Sequence, residues 1–240
     1  MVSTQTLSER DIITKRILPE ITRSGWEQSQ IREEVTFTAG RIFVKGRQAK
    51  RGEKKRADII LYYKPNIPVA VIEAKDGTHT AGAGLQQALG YAETLDIPVA
   101  ICSNGKGFVI QYRKNCGDIG ADGNALVTEE ADLEHFPTPE ALWECYKRYN
   151  NLSDEPSERL ALSHYFFGTD CHTPRYYQRI AINRTVEAVA RGQDRILLVM
   201  ATGTGKTYTA FQIIYRLWKN GVTKRILYLA VLYENLLYCI

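Results

Sequence analysis

The sequence predicts an α/β chain of two domains, and three observations carry that reading. Short apolar runs of strand length alternate with a helical stretch between Asp58 and Tyr112. Carboxylates stand at the ends of those runs. A second pattern begins near Pro174, where a helix, an apolar run, a Gly-rich loop and another helix follow in order. The expected division is a first domain over residues 1–150, a linker over 151–172, and the beginning of a second domain over 173–240.

Taken in order, Ser8 to Thr22 reads as a helix. Ser8 caps it, Glu9 and Asp11 suit its first turn, and Ile12, Ile13, Ile17, Leu18 and Ile21 form its apolar face. Pro19 predicts a kink or an end within it. Gly25-Trp26 turns the chain into short extended segments. Asp58 to Tyr63 and Val69 to Lys75 are expected strands, joined by a turn at Pro65-Asn66-Ile67-Pro68 into a hairpin. A helix follows over residues 83–95, then a strand at 99–102, a turn at Asn104-Gly105 and a strand at 108–112. Residues 115–136 read as irregular, 139–149 as a short helix and 150–156 as a polar connector. Beyond them come a helix over 174–190, a turn at Gly192, a buried strand over 195–200, a helix over 206–218 and a strand over 225–230.

Composition narrows the function classes. With 44% hydrophobic, 10% aromatic and 24% charged residues, the chain is neither disordered nor membrane-spanning. Its five cysteines, Cys102, Cys116, Cys145, Cys171 and Cys239, are scattered without zinc-ligand spacing, so reduced thiols in a cytoplasmic protein are expected. The formal net charge of +4 is modest, but its distribution is not even. Between Arg41 and Arg56 stand eight Lys or Arg residues and one acid, Glu53. This stretch reads either as a phosphate-holding element or as a solvated basic loop.

The first chemical constellation is Asp58, Glu73 and Lys75. Residues two apart in a strand share a face, so Glu73 and Lys75 point the same way, and the hairpin brings Asp58 beside them. Two carboxylates suit Mg²⁺, a hard cation that prefers oxygen ligands, and the Ala74 carbonyl can join them. Lys75 suits the orientation of water or the stabilisation of a charged phosphoryl transition state. The competing reading is a plain Glu73–Lys75 surface ion pair.

The second constellation is Ala201-Thr202-Gly203-Thr204-Gly205-Lys206-Thr207, set between an apolar run and a helix. This is the setting of a phosphate-binding loop. Gly203 and Gly205 let backbone N–H groups, with that of Thr204, close around phosphates at a helix amino end. Lys206 is the expected contact for the outer phosphates and Thr207 for Mg²⁺, so ATP is the expected nucleotide. A glutamine amide can pair with adenine, and Gln178, just before the first helix of this domain, resembles the adenine-reading glutamine of superfamily 2 helicases; Tyr177 either stacks on the base or packs.

The chain also resembles a family. Glu9 to Trp26, Gly40-Arg41-Ile42, Arg56 to Tyr63, Ala70 to Lys75 and Gly84 to Glu93 look like the restriction (motor and cleavage) subunit of type I restriction-modification enzymes. The resemblance covers residues 5–112 and resumes over 165–230. It implies a PD-(D/E)xK restriction-endonuclease-like domain followed by the first part of a RecA-like P-loop domain of superfamily 2 helicase type. It implies that Asp58, Glu73 and Lys75 are the nuclease residues. Gln87 and Tyr91 match a Gln-x3-Tyr helix motif, and Glu9 an acidic residue able to reach the metal, with Glu34 a weaker candidate. The implied cofactors are Mg²⁺ and ATP. The implied partners are double-stranded DNA and the modification (methyltransferase) and specificity subunits of a multi-subunit complex, with no membrane.

The sequence departs from that pattern after Ala230, where the expected DNA-contacting motif is absent. No acidic motor segment or second lobe follows, so the reading expects a portion of a longer subunit. Two alternatives remain open: a RecB-like nuclease joined to a different DNA-processing helicase, and a non-catalytic module that binds DNA or partner subunits.

Overall fold

The computed structural model describes residues 7–38, 42–45, 48–51, 54–113, 116, 128–168, 173–231 and 237–238. They form a mixed α/β chain that divides into two compact units, Met1–Ser153 and Asp154–Ile240.

The first unit opens with helical segments α1 (Glu9–Ile12), a π-helical turn (Ile13–Ile17) and α2 (Leu18–Arg23). Ser8 caps α1 by accepting the Asp11 N–H at 3.2 Å, and its hydroxyl donates back to the Asp11 carboxylate at 2.7 Å. Pro19 does not end the helix. It lacks the N–H that an unbroken α-helix would use, and the π turn just before it shifts the bonding so that Leu18 N–H reaches Ile13. Ile12, Ile13, Ile17 and Ile21 are all buried, as the apolar stripe requires.

A six-stranded sheet follows, in the order β1-β4-β5-β6-β7-β8. Its members are β1 (Ile31–Thr38), β4 (Lys54–Lys64), β5 (Ile67–Ala74), β6 (Val99–Ser103), β7 (Gly107–Tyr112) and β8 (Thr128–Asp132). A separate two-stranded ribbon, β2 (Ile42–Lys45) with β3 (Gln48–Arg51), lies between β1 and β4 in the chain. Strands β5 and β6 run parallel, with helix α3 (Leu85–Leu95) as their crossover, and every other pairing in the sheet is antiparallel. Strand β5 is buried along its whole length, flanked by β4 and β6 and packed against α3 and α4 (Pro139–Asn150). Its near-continuous apolar sequence, Ile67 to Ala74, is what such a position demands. Trp26, buried, donates its indole N–H to Pro137 at 2.9 Å and ties the start of the chain to the entry of α4. Tyr63 of β4 stacks on Trp143 of α4, and Trp143 in turn on Tyr146.

Strand β8 falls where irregular chain was expected. It is an edge strand whose Thr128, Glu129 and Glu130 are exposed, so it contributes backbone bonds to β7 and little to the core. Its side chains therefore carry no alternation for a sequence reading to find.

The second unit contains α5 (Glu155–Ala161), α6 (Tyr176–Ala190) and α7 (Lys206–Lys219). Helix α5 lies in the span read as a linker. Leu160, Tyr165, Ile182 and Val186 form the buried cluster of this unit, with Ala190, Ile213 and Leu217 against it. Arg216, 1% exposed, crosses that cluster. Its guanidinium donates to Ser163 Oγ at 2.9 Å, Asn183 Oδ1 at 2.8 Å, and the Leu160 and Ala161 carbonyls at 3.2 and 2.8 Å. One side chain of α7 thus satisfies the carboxyl end of α5 and binds α6 as well.

Two expected strands are not present. Residues 195–200 carry no strand pairing, with Leu197 85% and Val199 88% exposed. Residues 226–229 are likewise unpaired, and only β9 (Ala230–Val231) meets β10 (Leu237–Tyr238). An apolar run becomes a strand only when a neighbour supplies its ladder, and no described residue pairs with either run.

Candidate active site

The first site lies where β4 and β5 separate. Their ladder reaches Ile59↔Ile72, and Asp58 and Glu73 are the next residues on the two strands. There the Asp58 carboxylate takes over from the backbone, accepting the Ala74 N–H at 2.8 Å. Strand β5 meanwhile continues beside β6 to Ala74↔Ser103, and Lys75 N–H donates to Ser103 O at 2.8 Å. A carboxylate is thereby fixed at the open end of each strand, with Lys75 one residue beyond.

Glu73 is 3% exposed. Its Oε1 accepts from Lys75 Nζ at 3.0 Å and from the Gln87 amide of α3. Its Oε2 is buried and has no hydrogen-bond partner among the described residues. Gln87 also donates to Tyr91 Oη at 2.9 Å, so these two α3 residues act as one support for Glu73. The Glu73–Lys75 contact is a largely buried ion pair, not the exposed surface pair that was the competing reading. Burial, reinforced by the nearby charge of Asp58, pushes the Glu73 carboxyl up to about 7 against the pull of Lys75. For Lys75, burial disfavours the charge, but the hydrogen bond to Glu73 and the charges of Glu73, Glu9 and Asp58 outweigh it. The ammonium is held above its ordinary pKa.

Glu9 reaches Lys75, with Oε1 3.9 Å from Nζ, and its side chain is half exposed. Among the described residues no group of three or more His, Cys, Asp or Glu is placed to hold a metal ion. Glu34 takes another role. Its φ of 53° interrupts the β1–β4 pairing beside Asp58, and its carboxylate meets Arg10 at 3.1 Å and Arg56 at 3.7 Å. Cys171, Cys239 and the Gly40-Arg41 pair lie outside the described residues. Cys102, Cys116 and Cys145 are buried free thiols.

One position that the sequence reading left without a role supports the site from below. A Cβ at Gly84 would stand 2.8 Å from Lys75 Cε and 3.0 Å from both Glu73 Cγ and Cys102 Sγ. Gly84 N–H also donates to Cys102 Sγ at 3.1 Å. Only glycine lets the start of α3 come this close to both charged side chains. Its signal in the sequence was a glycine directly before Leu85, where a Ser, Thr or Asp cap would be ordinary.

The second site is the loop before α7. Gly203 and Gly205 have φ of 77° and 83°, which glycine adopts without strain. The Ala201 carbonyl accepts from Thr204 Oγ1 at 2.6 Å and from Lys206 Nζ at 3.3 Å. Gln178 does not face open space. Its Oε1 accepts the Arg175 N–H at 2.9 Å and its Nε2 donates to Thr204 O at 2.8 Å. A side chain at Gly205 would collide with that amide. Thr207 is exposed, and Tyr177 Oη accepts from Arg175 at 3.2 Å.

The chain is similar to proteins of restriction systems. The family described as type I restriction enzyme R protein N terminus matches residues 19–119, and the type III restriction enzyme res subunit family matches residues 171–234. The EcoAI type I restriction endonuclease subunit of Escherichia coli is 46% identical over 225 residues, 93% of this chain and 27% of that protein. Over most of its length this chain is similar to a type I restriction endonuclease subunit. The EcoKI endonuclease subunit of Escherichia coli K12 is 51% identical over 55 residues, 23% of this chain and 5% of that one. A solved HsdR fragment of a type I restriction enzyme from Vibrio vulnificus YJ016 superposes with a TM-score of 0.72 at 39% identity. That match covers 90% of this chain and 39% of the solved one. The chain therefore spans about a quarter of the length of its EcoAI relative. Among the described residues no helix is long and apolar enough to cross a membrane.

Proposed function

We propose that the first unit is a PD-(D/E)xK nuclease that hydrolyses phosphodiester bonds of double-stranded DNA with Mg²⁺. We further propose that the second begins an ATP-binding, RecA-like motor lobe. The observation that carries the nuclease reading is Glu73 itself. A carboxylate oxygen buried without a partner, beside a second carboxylate, is a costly arrangement for a purely structural pair. It suits a site whose positive charge is supplied from outside the chain.

The donor set fits Mg²⁺, which needs only one or two carboxylates and keeps its remaining positions for water and phosphate oxygens. Asp58 and Glu73 would hold it, with the Ala74 carbonyl beside them, and it would supply an activated water and neutralise phosphoryl charge. Asp58 is fixed for this by the Ala74 N–H, and Glu73 by Gln87 with Tyr91 behind it. Lys75 keeps its ammonium charged and within reach of the incoming phosphate. Glu9 adds an outer carboxylate near Lys75.

In the second unit, Gly203, Thr204, Gly205, Lys206 and Thr207 would cradle the phosphates of ATP, and Gln178 would read adenine. Binding then requires Gln178 to leave Thr204 and Arg175. Assembly with modification and specificity subunits, and translocation of DNA, follow from the relationship as part of the same proposal.

The test is Mg²⁺-dependent cleavage of supercoiled DNA by the full chain, with Asp58→Ala and Lys75→Ala in parallel. Loss of cleavage in both supports the assignment. Equal cleavage by parent and variants would refute it.

A further inference from the structure

The basic stretch between Arg41 and Arg56 has no part in the cleavage centre described above, yet it is the most concentrated charge in the chain. Eight cations stand there against one acid. The structure gives its middle a definite form. Strands β2 and β3 pair as Ile42↔Arg51, Phe43↔Lys50, Val44↔Ala49 and Lys45↔Gln48, and the six-stranded sheet does not include them. The β1–β4 ladder extends as far as Thr38↔Lys54. In the chain, the ribbon lies between the paired ends of β1 and β4.

Its root is joined to the active site by contact. Phe37 and Lys55 are cross-strand partners, and both meet Tyr91. Phe37 lies edge-on to that ring at 5.2 Å, and Lys55 Nζ is 5.7 Å from its centroid. Tyr91 accepts from Gln87, and Gln87 donates to Glu73. Lys54 and Arg56, on either side of Lys55, are exposed. Arg56 stands two residues before Asp58 on the same strand.

We propose that this ribbon and its root, through Lys50, Arg51, Lys54 and Arg56, grip the backbone of duplex DNA and lead it to Asp58, Glu73 and Lys75. The inference rests on the nuclease reading of that site. The B-form major groove admits a two-stranded ribbon, and the cations that this one carries in sequence suit the neutralisation of phosphates. The deep, narrow major groove of duplex RNA does not admit such a ribbon. The contact chain from Lys55 to Glu73 fixes where the held duplex meets the carboxylates.

The experiment measures binding of the full chain to a short fluorescent DNA duplex by anisotropy, across roughly 50 to 200 mM salt. Lys50→Gln with Lys54→Gln removes two cations and should lower the salt slope by about two, with affinity falling about tenfold or more. Lys50→Arg with Lys54→Arg keeps the charge and should keep the slope. Lys64→Gln, at the far end of β4 from the ribbon, should leave the slope unchanged. An unchanged slope in the double Gln variant overturns the proposal. So does an equal loss in Lys64→Gln, or an equal loss of affinity for duplex RNA in the double Gln variant. Asp58→Ala is measured beside them for both binding and cleavage. Undiminished cleavage there refutes the nuclease reading, while the binding slopes judge the ribbon separately.

Discussion

Replacing Glu73 by Gln removes one charge from the most buried position of the first site, and the structure sets how stability should respond to pH. Burial and Asp58 raise the Glu73 carboxyl from 4.5 to about 7, which corresponds to roughly 3 kcal/mol of disfavour for the ionised form. Because the folded-state value lies above the unfolded one, Glu73 contributes most below about pH 4.5. That contribution is lost as pH rises through about 7. The Gln variant has no proton to lose. The difference in unfolding free energy, parent minus variant, should therefore fall by about 2.5 kcal/mol between pH 5 and pH 8. Urea unfolding followed by tryptophan emission reads this directly, since Trp26 and Trp143 are both buried in the first unit. Added Mg²⁺ at pH 8 should raise the stability of the parent and leave the variant little changed. A flat difference curve without metal would refute the account of Glu73 as a carboxylate strained by its own burial.

Three other perturbations follow from the geometry. Gly84→Ala forces a Cβ against Lys75, Glu73 and Cys102 and should cost about 1–3 kcal/mol in urea unfolding, with cleavage falling further than stability alone explains. Arg216→Met removes the guanidinium's bonds to the carboxyl end of α5 and to α6 and should destabilise the second unit by about 3 kcal/mol, visible as faster amide exchange in α5 and α6. Arg216→Lys should not restore it, because an ammonium cannot reach all four acceptors at once. Gln178→Ala removes the bond to Thr204 O and should loosen the phosphate loop while lowering affinity for ATP more than for inorganic triphosphate, measured by calorimetry. Equal losses for both ligands would show that Gln178 only holds the loop.

Much of the first unit was legible because its signals are local. The apolar run of β5, the Ser8 cap and the stripe of isoleucines in the first helical segments each state their element within a few residues. The pairing of Asp58 with Glu73 followed from the hairpin alone. What the sequence hid is what depends on distant partners. Strand β8 exists because β7 offers a ladder, not because Thr128 to Asp132 has a pattern. The run Ile196 to Val199 has the composition of a buried strand but gains no ladder among the described residues, so composition alone misplaced it. Arg216 reads as a surface cation on a helix and becomes a buried crosslink only when α5 and α6 surround it. Gln178 was singled out by motif, and nothing local in the sequence announces its bonds to Thr204 and Arg175.

Gly84 has a consequence for how this sequence can change over generations. Its missing side chain is shared space, bounded at once by Cys102 Sγ, Glu73 Cγ and Lys75 Cε. A mutation that fills it can be relieved on one side by shortening Cys102 to Ala or Gly, so second-site suppressors of Gly84→Ala are expected at position 102. Such a revertant would recover its fold but not its chemistry, since the same methyl still displaces the Lys75 stem. Genetic selection for stability and selection for cleavage would then return different suppressors from one starting lesion.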